Sequence, residues 1–350
     1  MARVPRGFKV RLEPQDEFPH VRDAAANYNE SMYFNMFDPA QKVGGWFRIG
    51  NRPNEGYAEI SVCLYLPGGR VGFMFGRPRI EGNTEMNAGG LKVDVVEPFK
   101  RLRVTYEGKL LLLERPGEMA HPSKAFRDNP QLPCKVELDY EAVSPMFGGE
   151  TVREDGGALE IDPEKSFARA HYEQHMAAGG RFTVGEETFE VSGLGLRDKS
   201  WGPRHWQAIN WYRWCPMNFG PDFAMMISLV AGEQGAVRQG GMVLRDGAYD
   251  LITEAAIESD WDADGYQTKL RSRIKTESGA EYVVEGEVLS LIPLRNRRTT
   301  PDGKELTTRI TEGMTEYRCD GRVGYGLSEY LDQIVDGRPT GTDFPAIAAG

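Results

Sequence analysis

At 350 residues the chain is long enough for two ordinary domains or for one large β architecture, and its 40% hydrophobic content can bury a substantial core. Its 42 Lys and Arg against 52 Asp and Glu leave a net charge of −10, which argues against the basic face that nucleic acid requires. Cys63, Cys134, Cys215 and Cys319 form no Cys-x-x-Cys pair, which excludes a zinc ribbon and gives no disulfide framework. No stretch approaches the ~20 apolar residues of a membrane span, and the first residues hold no apolar run of signal-peptide length, so a reducing cytoplasm is the expected setting.

In chain order, Val21–Glu30 predicts a short helix, after which Ser31–Phe37 turns to an aromatic, strand-type composition that ends at Asp38-Pro39. Asn51–Gly56 reads as a turn across which Arg52 and Glu55 can pair. From there the pattern is β. Ala58, Ile60, Val62, Leu64 and Leu66 alternate with the residues between them, the period of two that a strand needs. Pro67-Gly-Gly-Arg is a hairpin turn and Val71–Phe75 its return strand. Short strands follow at Leu91–Val96, Leu102–Tyr106, Leu110–Leu113 and Val136–Tyr140, divided by turn dipeptides, as in a sandwich or barrel. Gly148–Lys165 is acidic and glycine-rich with no hydrophobic period, and it marks a domain boundary at residue 165.

The second half repeats this grammar. His171–Met176 reads as a strand, followed by the hairpin Arg181–Val191. Phe223–Val230, Gly240–Leu244, Tyr282–Leu291 and Gly313–Tyr317 are further strands. Arg295-Asn-Arg-Arg, followed by Thr-Thr-Pro-Asp-Gly-Lys, predicts a solvated loop tip. The last clear strand, Val323–Leu331, places the carboxyl of Glu329 on an otherwise apolar face. Beyond Asp336 a Gly/Pro/Thr-rich tail is expected to fray. No short exact repeat is present.

Chemistry-bearing residues concentrate in Gly193-Leu-Gly-Leu-Arg-Asp-Lys-Ser-Trp-Gly-Pro-Arg-His-Trp206. Two glycines in an apolar strand mark a close backbone approach, and Trp-Gly-Pro ends regular pairing. Asp198, Trp201 and Arg204 then crowd together, either as a structural knot or as a ligand site. Among Trp and Tyr side chains the carboxyl of Asp198 would have its pKa raised, unless Arg197 or Arg204 draws it back down. Glu329 is the second carboxylate of interest. On a strand, His171, Glu173 and His175 share one face but span ~13 Å at ~3.3 Å per residue, too far to hold one metal ion easily. A polar face or acid–base duty remain as readings of the three. Neither a Gly-x-Gly-x-x-Gly loop nor a Gly-x-Ser-x-Gly elbow is present.

His171-Tyr-Glu-Gln-His followed by Gly193–Arg204, with Asn29–Asn35, Arg48–Tyr57, Ala88–Leu91 and Gly324–Leu331, resembles the lipocalin-like superfamily of hydroxyneurosporene synthase (carotenoid 1,2-hydratase), kievitone hydratase and AttH-type proteins. The resemblance is to an uncharacterised branch, in which the position of Lys199 is typically histidine. It implies a mostly β chain with few short helices, in two tandem lipocalin-like antiparallel barrel or sandwich domains, 1–165 and 166–350. It also implies catalysis without a redox cofactor, by protonation of an alkene and capture by water or by cyclisation.

The expectation is therefore a cofactor-independent hydratase, lyase or isomerase for a hydrophobic isoprenoid-, steroid- or polyphenol-like molecule. Asp198 or Glu329 would donate the proton and His171 or Glu173 would position water. Trp201 and Tyr325 would shield a developing cation, and Arg197, Arg204 and His175 would bind substrate. No metal is assigned. The alternative is a non-catalytic carrier of a lipid- or polyketide-like ligand. A hydrophobic small molecule is the expected partner, with no nucleic acid, no membrane span, and a homodimer as the one assembly to test.

Overall fold

The computed structural model describes residues 6–232, 235–299 and 303–342. They belong to two compact units. The first takes the chain up to Gly68, then Gly72–Leu112 and Pro130–His205; the second takes Gly69–Val71, Leu113–Asn129 and the chain from Trp206 onward.

In the first unit β1 (Phe8–Arg11), β2 (Tyr28–Asp38), β3 (Val43–Arg52), β4 (Tyr57–Tyr65), β5 (Val71–Gly76), β6 (Met86–Ala88), β7 (Leu91–Glu97), β8 (Arg101–Leu113), β9 (Gln131–Ala142), β10 (Phe147–Arg153), β11 (Ala170–Val184) and β12 (Glu187–Pro203) form one sheet. The ring β11-β12-β2-β3-β4-β5-β8-β9 closes on itself through the β9–β11 pairing, giving an eight-stranded barrel. Closure explains why the first unit runs past the boundary expected at residue 165. Without β11 and β12 the barrel would keep the open edges of β2 and β9. The acidic segment is itself partly paired, since β10 adds to β11 outside the ring.

The second unit is a meander of β13 (Ile209–Gly220), β14 (Phe223–Gly232), β15 (Val237–Arg245), β16 (Ala248–Trp261), β17 (Gln267–Thr276), β18 (Glu281–Thr299), β19 (Glu305–Cys319) and β20 (Arg322–Val335), flanked by β21 (Arg338–Pro339). The β13–β20 pairing closes a second eight-stranded ring. A single α-helix among the described residues, α1 (Pro122–Asp128), lies in the connection between β8 and β9.

Both barrels are packed containers. Met32, Phe34, Phe47, Ile60, Val104, Leu138 and Phe182 fill the first, and Cys215, Met217, Phe223, Ile227, Val284 and Tyr330 the second. Each ring has a glycine pair where one strand packs tightly on its neighbour. A Cβ on Gly193 or Gly195 would lie 2.0 Å from the carbonyl oxygen of Phe37 or 1.8 Å from that of Asn35; on Gly324 or Gly326 it would lie 2.6 Å from that of Asn218 or 1.9 Å from that of Pro216. Gly193-Leu-Gly-Leu-Arg-Asp and Gly324-Tyr-Gly-Leu-Ser-Glu are therefore the same structural device, an inexact internal repeat that places Asp198 and Glu329 at equivalent positions.

Two local expectations are corrected. The helix over Val21–Glu30 does not form: a 3₁₀ turn occupies Pro14–Glu17, and β2 begins at Tyr28 because Glu30 and Ser31 pair with Asn51 and Gly50 on β3 and with Trp201 and Ser200 on β12. Tertiary pairing outweighs a weak helix propensity. Arg295–Arg298 is not a loop tip either; it lies within β18, paired with Thr307, Thr308, Arg309 and Leu306 of β19. The Arg52–Glu55 ion pair forms as expected. The frayed tail expected beyond Asp336 falls largely outside the described residues, although Arg338 and Pro339 pair with β20.

Candidate functional site

Strand alternation divides the Gly193–Trp206 stretch into two roles. Arg197, Lys199 and Trp201 point into the first barrel, on the face of Phe34, Met32 and Glu30 of β2. Asp198 and Ser200 point outward, on the face of Tyr33 and Ser31. The two groups of side chains lie on opposite sides of one strand.

The inward half is structural. Arg197 is fully buried and donates to both carboxylate oxygens of Glu17, at 2.7 and 2.8 Å, and to Gln174 Oε1 at 2.9 Å. The Tyr172 hydroxyl and the Phe99 N–H also donate to Glu17, at 2.7 and 2.9 Å. Burial raises the Glu17 pKa, but Arg197 more than offsets it and the net shift is downward. Lys199 Nζ donates to the carbonyls of Asp16 and Phe18 at 2.6 and 2.7 Å and pairs with Glu30 at 2.8 Å. Trp201 stacks on His20 with ring centres 4.1 Å apart. Arg197 therefore holds the N-terminal turn in the barrel mouth and is not placed to bind substrate. Trp201 is likewise turned away from Asp198, so it shields nothing beside that carboxyl.

The outward half forms a cluster. His171 Nε2 lies 3.8 Å from Asp198 Oδ2 and 3.9 Å from Glu173 Oε1. Arg204 Nη2 donates to Ser200 Oγ at 2.7 Å, and its guanidinium lies 4.0 Å from the centre of the Phe167 ring. Ser200 Oγ is 3.0 Å from Ser31 Oγ. Glu173 and His175 are buried, while the side chains of Asp198 and His171 keep 21% and 48% of their surface. Burial lowers the His171 pKa, but the carboxylates of Asp198 and Glu173 raise it further, so the imidazole titrates above its ordinary range. Backbone register continues the cluster sideways, from Glu173 and Asp198 to Tyr33, Arg48 and Ser61, and from His171 and Ser200 to Ser31, Gly50 and Glu59. On this same outer face Trp46 and Tyr33 stack at 6.1 Å, and Glu59 pairs with Arg48 at 3.8 Å and with Arg77 at 2.9 Å. Asn29 Oδ1 and Trp46 Nε1 are buried without a hydrogen-bond partner among the described residues.

The remaining expected residues lie in the second unit. Glu329 faces outward opposite Trp214 and accepts a hydrogen bond from the Tyr212 hydroxyl. The Tyr325 hydroxyl donates to Glu316 at 3.0 Å. Among the described residues no group of three His, Cys, Asp or Glu side chains is arranged to hold a metal ion.

A family described as a domain of unknown function, DUF7064, matches residues 13–334, which takes in both barrels. The chain belongs to the DUF7064 family. Comparison of this DUF7064 chain with curated protein sequences finds no match. Solved structures show what its fold is similar to. An AttH-type protein of Nitrosomonas europaea superposes with a TM-score of 0.60 at 16% identity, over 95% of this chain and 99% of that one. Kievitone hydratase of Nectria haematococca gives 0.51 at 8% identity, over 89% and 90%. CghA with Sch210972 gives 0.50 at 10%, over 93% and 98%. The DUF7064 chain thus has the tandem lipocalin-like fold that the sequence resemblance implied.

Sequence reasoning missed Tyr33, Trp46, Arg48 and Ser31 as members of this face. The available signal was Asn29-x-Ser31-x-Tyr33-x-Asn35, a polar period of two interleaved with Met32, Phe34 and Met36 in one strand. A strand that alternates polar and apolar and is buried throughout has two working faces.

Proposed function

We propose that this DUF7064 protein is a cofactor-independent hydratase, lyase or isomerase that moves protons on a hydrophobic, isoprenoid-, steroid- or polyphenol-like small molecule, at the outer face of its first barrel. One observation carries the reading: a part-exposed imidazole, His171, held between the carboxylates of Asp198 and Glu173. Such an imidazole holds its proton to higher pH than an ordinary histidine and can release it. In a hydration, a ring N–H of His171 protonates one alkene carbon, water bonds to the neighbouring cationic carbon, and the water's proton passes to the Asp198 carboxylate. Tyr33 and Trp46 offer aromatic surface on the same face, and Arg204 orients Ser200. Glu329, at the position in the second barrel that Asp198 holds in the first, is proposed as a proton-transfer carboxylate of that unit. The fold shared with kievitone hydratase supports the reading by analogy.

The test is turnover by the whole chain on a panel of prenylated, steroid and polyphenol substrates, alone and as Asp198→Asn and His171→Ala. Loss of about 10²-fold or more in kcat is expected for each; full activity in either variant removes its role. The unpartnered Asn29 Oδ1 and Trp46 Nε1 also fit a carrier. Native mass spectrometry separates the two readings, since a carrier returns a co-purified apolar ligand unchanged after incubation, whereas an enzyme returns a modified product.

A further inference from the structure

Inside one end of the second barrel, two arginines face one carboxylate. Arg213 Nη2 donates to Asp332 Oδ1 at 3.0 Å and to the Gly341 carbonyl at 2.8 Å, and its Nη1 donates to the carbonyls of Tyr212 and Leu331. That guanidinium is satisfied, and Asp332 Oδ1 also accepts the Gly341 N–H at 2.8 Å. Arg309 is not satisfied. It is only 8% exposed, its Nη2 stands 3.6 Å from Asp332 Oδ2, and its Nε and Nη1 are buried with no hydrogen-bond partner among the described residues. A guanidinium stays protonated, so the charge remains. Asp332 Oδ2 is itself without a hydrogen bond, and the one carboxylate serves both guanidinium groups, so among the described residues this end of the barrel sets two buried cations against a single buried anion, an excess of charge that folded proteins rarely leave uncompensated.

Two neighbours sharpen the imbalance. Arg295, on β18, pairs directly opposite Arg309 on β19, and like charges in that register repel. The Tyr266 ring lies 5.5 Å from the Arg309 guanidinium and adds no charge. The acidic groups nearby, Asp262 and Asp264, lie in the turn before Tyr266, and Asp262 Oδ1 is occupied by the N–H groups of Asp264 and Tyr266. Arg197 of the first barrel makes the contrast. It is more deeply buried, yet its carboxylate partner is bidentate and its pKa is raised, whereas burial lowers that of Arg309 despite Asp332.

We propose that this end of the second barrel is a binding site for a small oxyanion, a carboxylate or phosphate group, held by Arg309 with Arg295 at its mouth. The ligand supplies acceptors for Arg309 Nε and Nη1 and separates the two opposed guanidinium groups. The site lies wholly within the second unit and stands independently of the proton-transfer reading.

The experiment is a thermal melt of the full chain against inorganic phosphate and, in a parallel arm, acetate, both at constant ionic strength set with chloride. A saturable rise in Tm is expected with one of them, as for any ligand that binds only the folded state, and the arm that responds names the anion class. Arg309→Met should abolish the saturable rise, while Arg271→Met, on an exposed strand position, should keep it. Calorimetric titration of Arg309→Lys, which retains the charge, should show affinity at least about tenfold weaker than the parent and stands in for Arg309→Met if that variant fails to fold. Equal, non-saturating responses in parent and variant, or no binding heat with either anion, would overturn the site and leave Arg309 solvated by water alone.

Discussion

His171 is where charge, exposure and chemistry meet. Its pKa is raised by Asp198 and Glu173 against the effect of burial, so the proton is held most firmly below the ordinary imidazole value and lost as pH climbs through the higher one. Activity that depends on the imidazolium should therefore fall on the alkaline side, and Asp198→Asn should move that limb to lower pH. Titration of the His171 ring by NMR measures both: a midpoint above about 6.5 in the parent, and a lower one in the variant. An unchanged midpoint would show that Asp198 does not poise the ring. At this scale the sequence was half legible. His171, Glu173 and Asp198 are found together as the alternation of β11 and β12 implies, but Trp201 and Arg197, expected beside them, lie on the opposite face, because sequence does not say which phase of a strand faces in.

The strands β12 and β20 carry positions that tolerate no side chain. Gly195→Ala and Gly326→Ala would each drive a methyl to within 2 Å of a neighbouring carbonyl oxygen, and each should destabilise by about 3 kcal/mol in urea unfolding. The plug of the first barrel is as demanding. Removing only the cation, as in Arg197→Met, leaves Glu17 buried and uncompensated and should cost about 3–5 kcal/mol, whereas Glu17→Met combined with Arg197→Met should recover most of that loss. Glu17 and Glu30 both titrate below the ordinary value of 4.5, Glu30 at about 2, because Arg197 for the first, and His20 and Lys199 for the second, more than offset burial. The unfolded chain takes up protons first, so their contribution is complete above about 4.5 and is lost as pH falls, that of Glu30 toward about 2. Circular dichroism across that interval should show the first barrel loosening. The strands and hairpins of this plug were readable from period-two patterning; the pairing of Glu17 with a residue 180 positions away was not, since no local pattern encodes contacts at that separation.

Across the whole molecule, the second unit takes short segments from the first half of the chain: Leu113–Asn129, from the connection between β8 and β9, belongs to it. There Arg295 donates to the carbonyl of Ala120. A fragment ending at His205 should therefore be poorly soluble, because it strands that connection outside its unit. Replacing residues 113–129 by a short turn in the same fragment should restore a cooperative melt. A soluble, cooperatively folded fragment without the replacement would show that the segment has no preference between units.

By itself the sequence determined a soluble-type composition, a chain of antiparallel strands, a likeness to the lipocalin-like hydratases and the neighbourhood of Asp198, since these depend on residue type, local period and short motifs. Only the tertiary structure decided that two rings close, that the first closes after residue 165, and that Gly193–Asp198 and Gly324–Glu329 are one device used twice. It alone set the inward and outward phase of β12, which turns Arg197 into a structural clamp and leaves Asp198 beside His171. The reason is common to all of these: ring closure, strand phase and the partner of a buried charge depend on which distant strands pair, and pairing between strands is a property of the assembled sheet that no local stretch of residues carries.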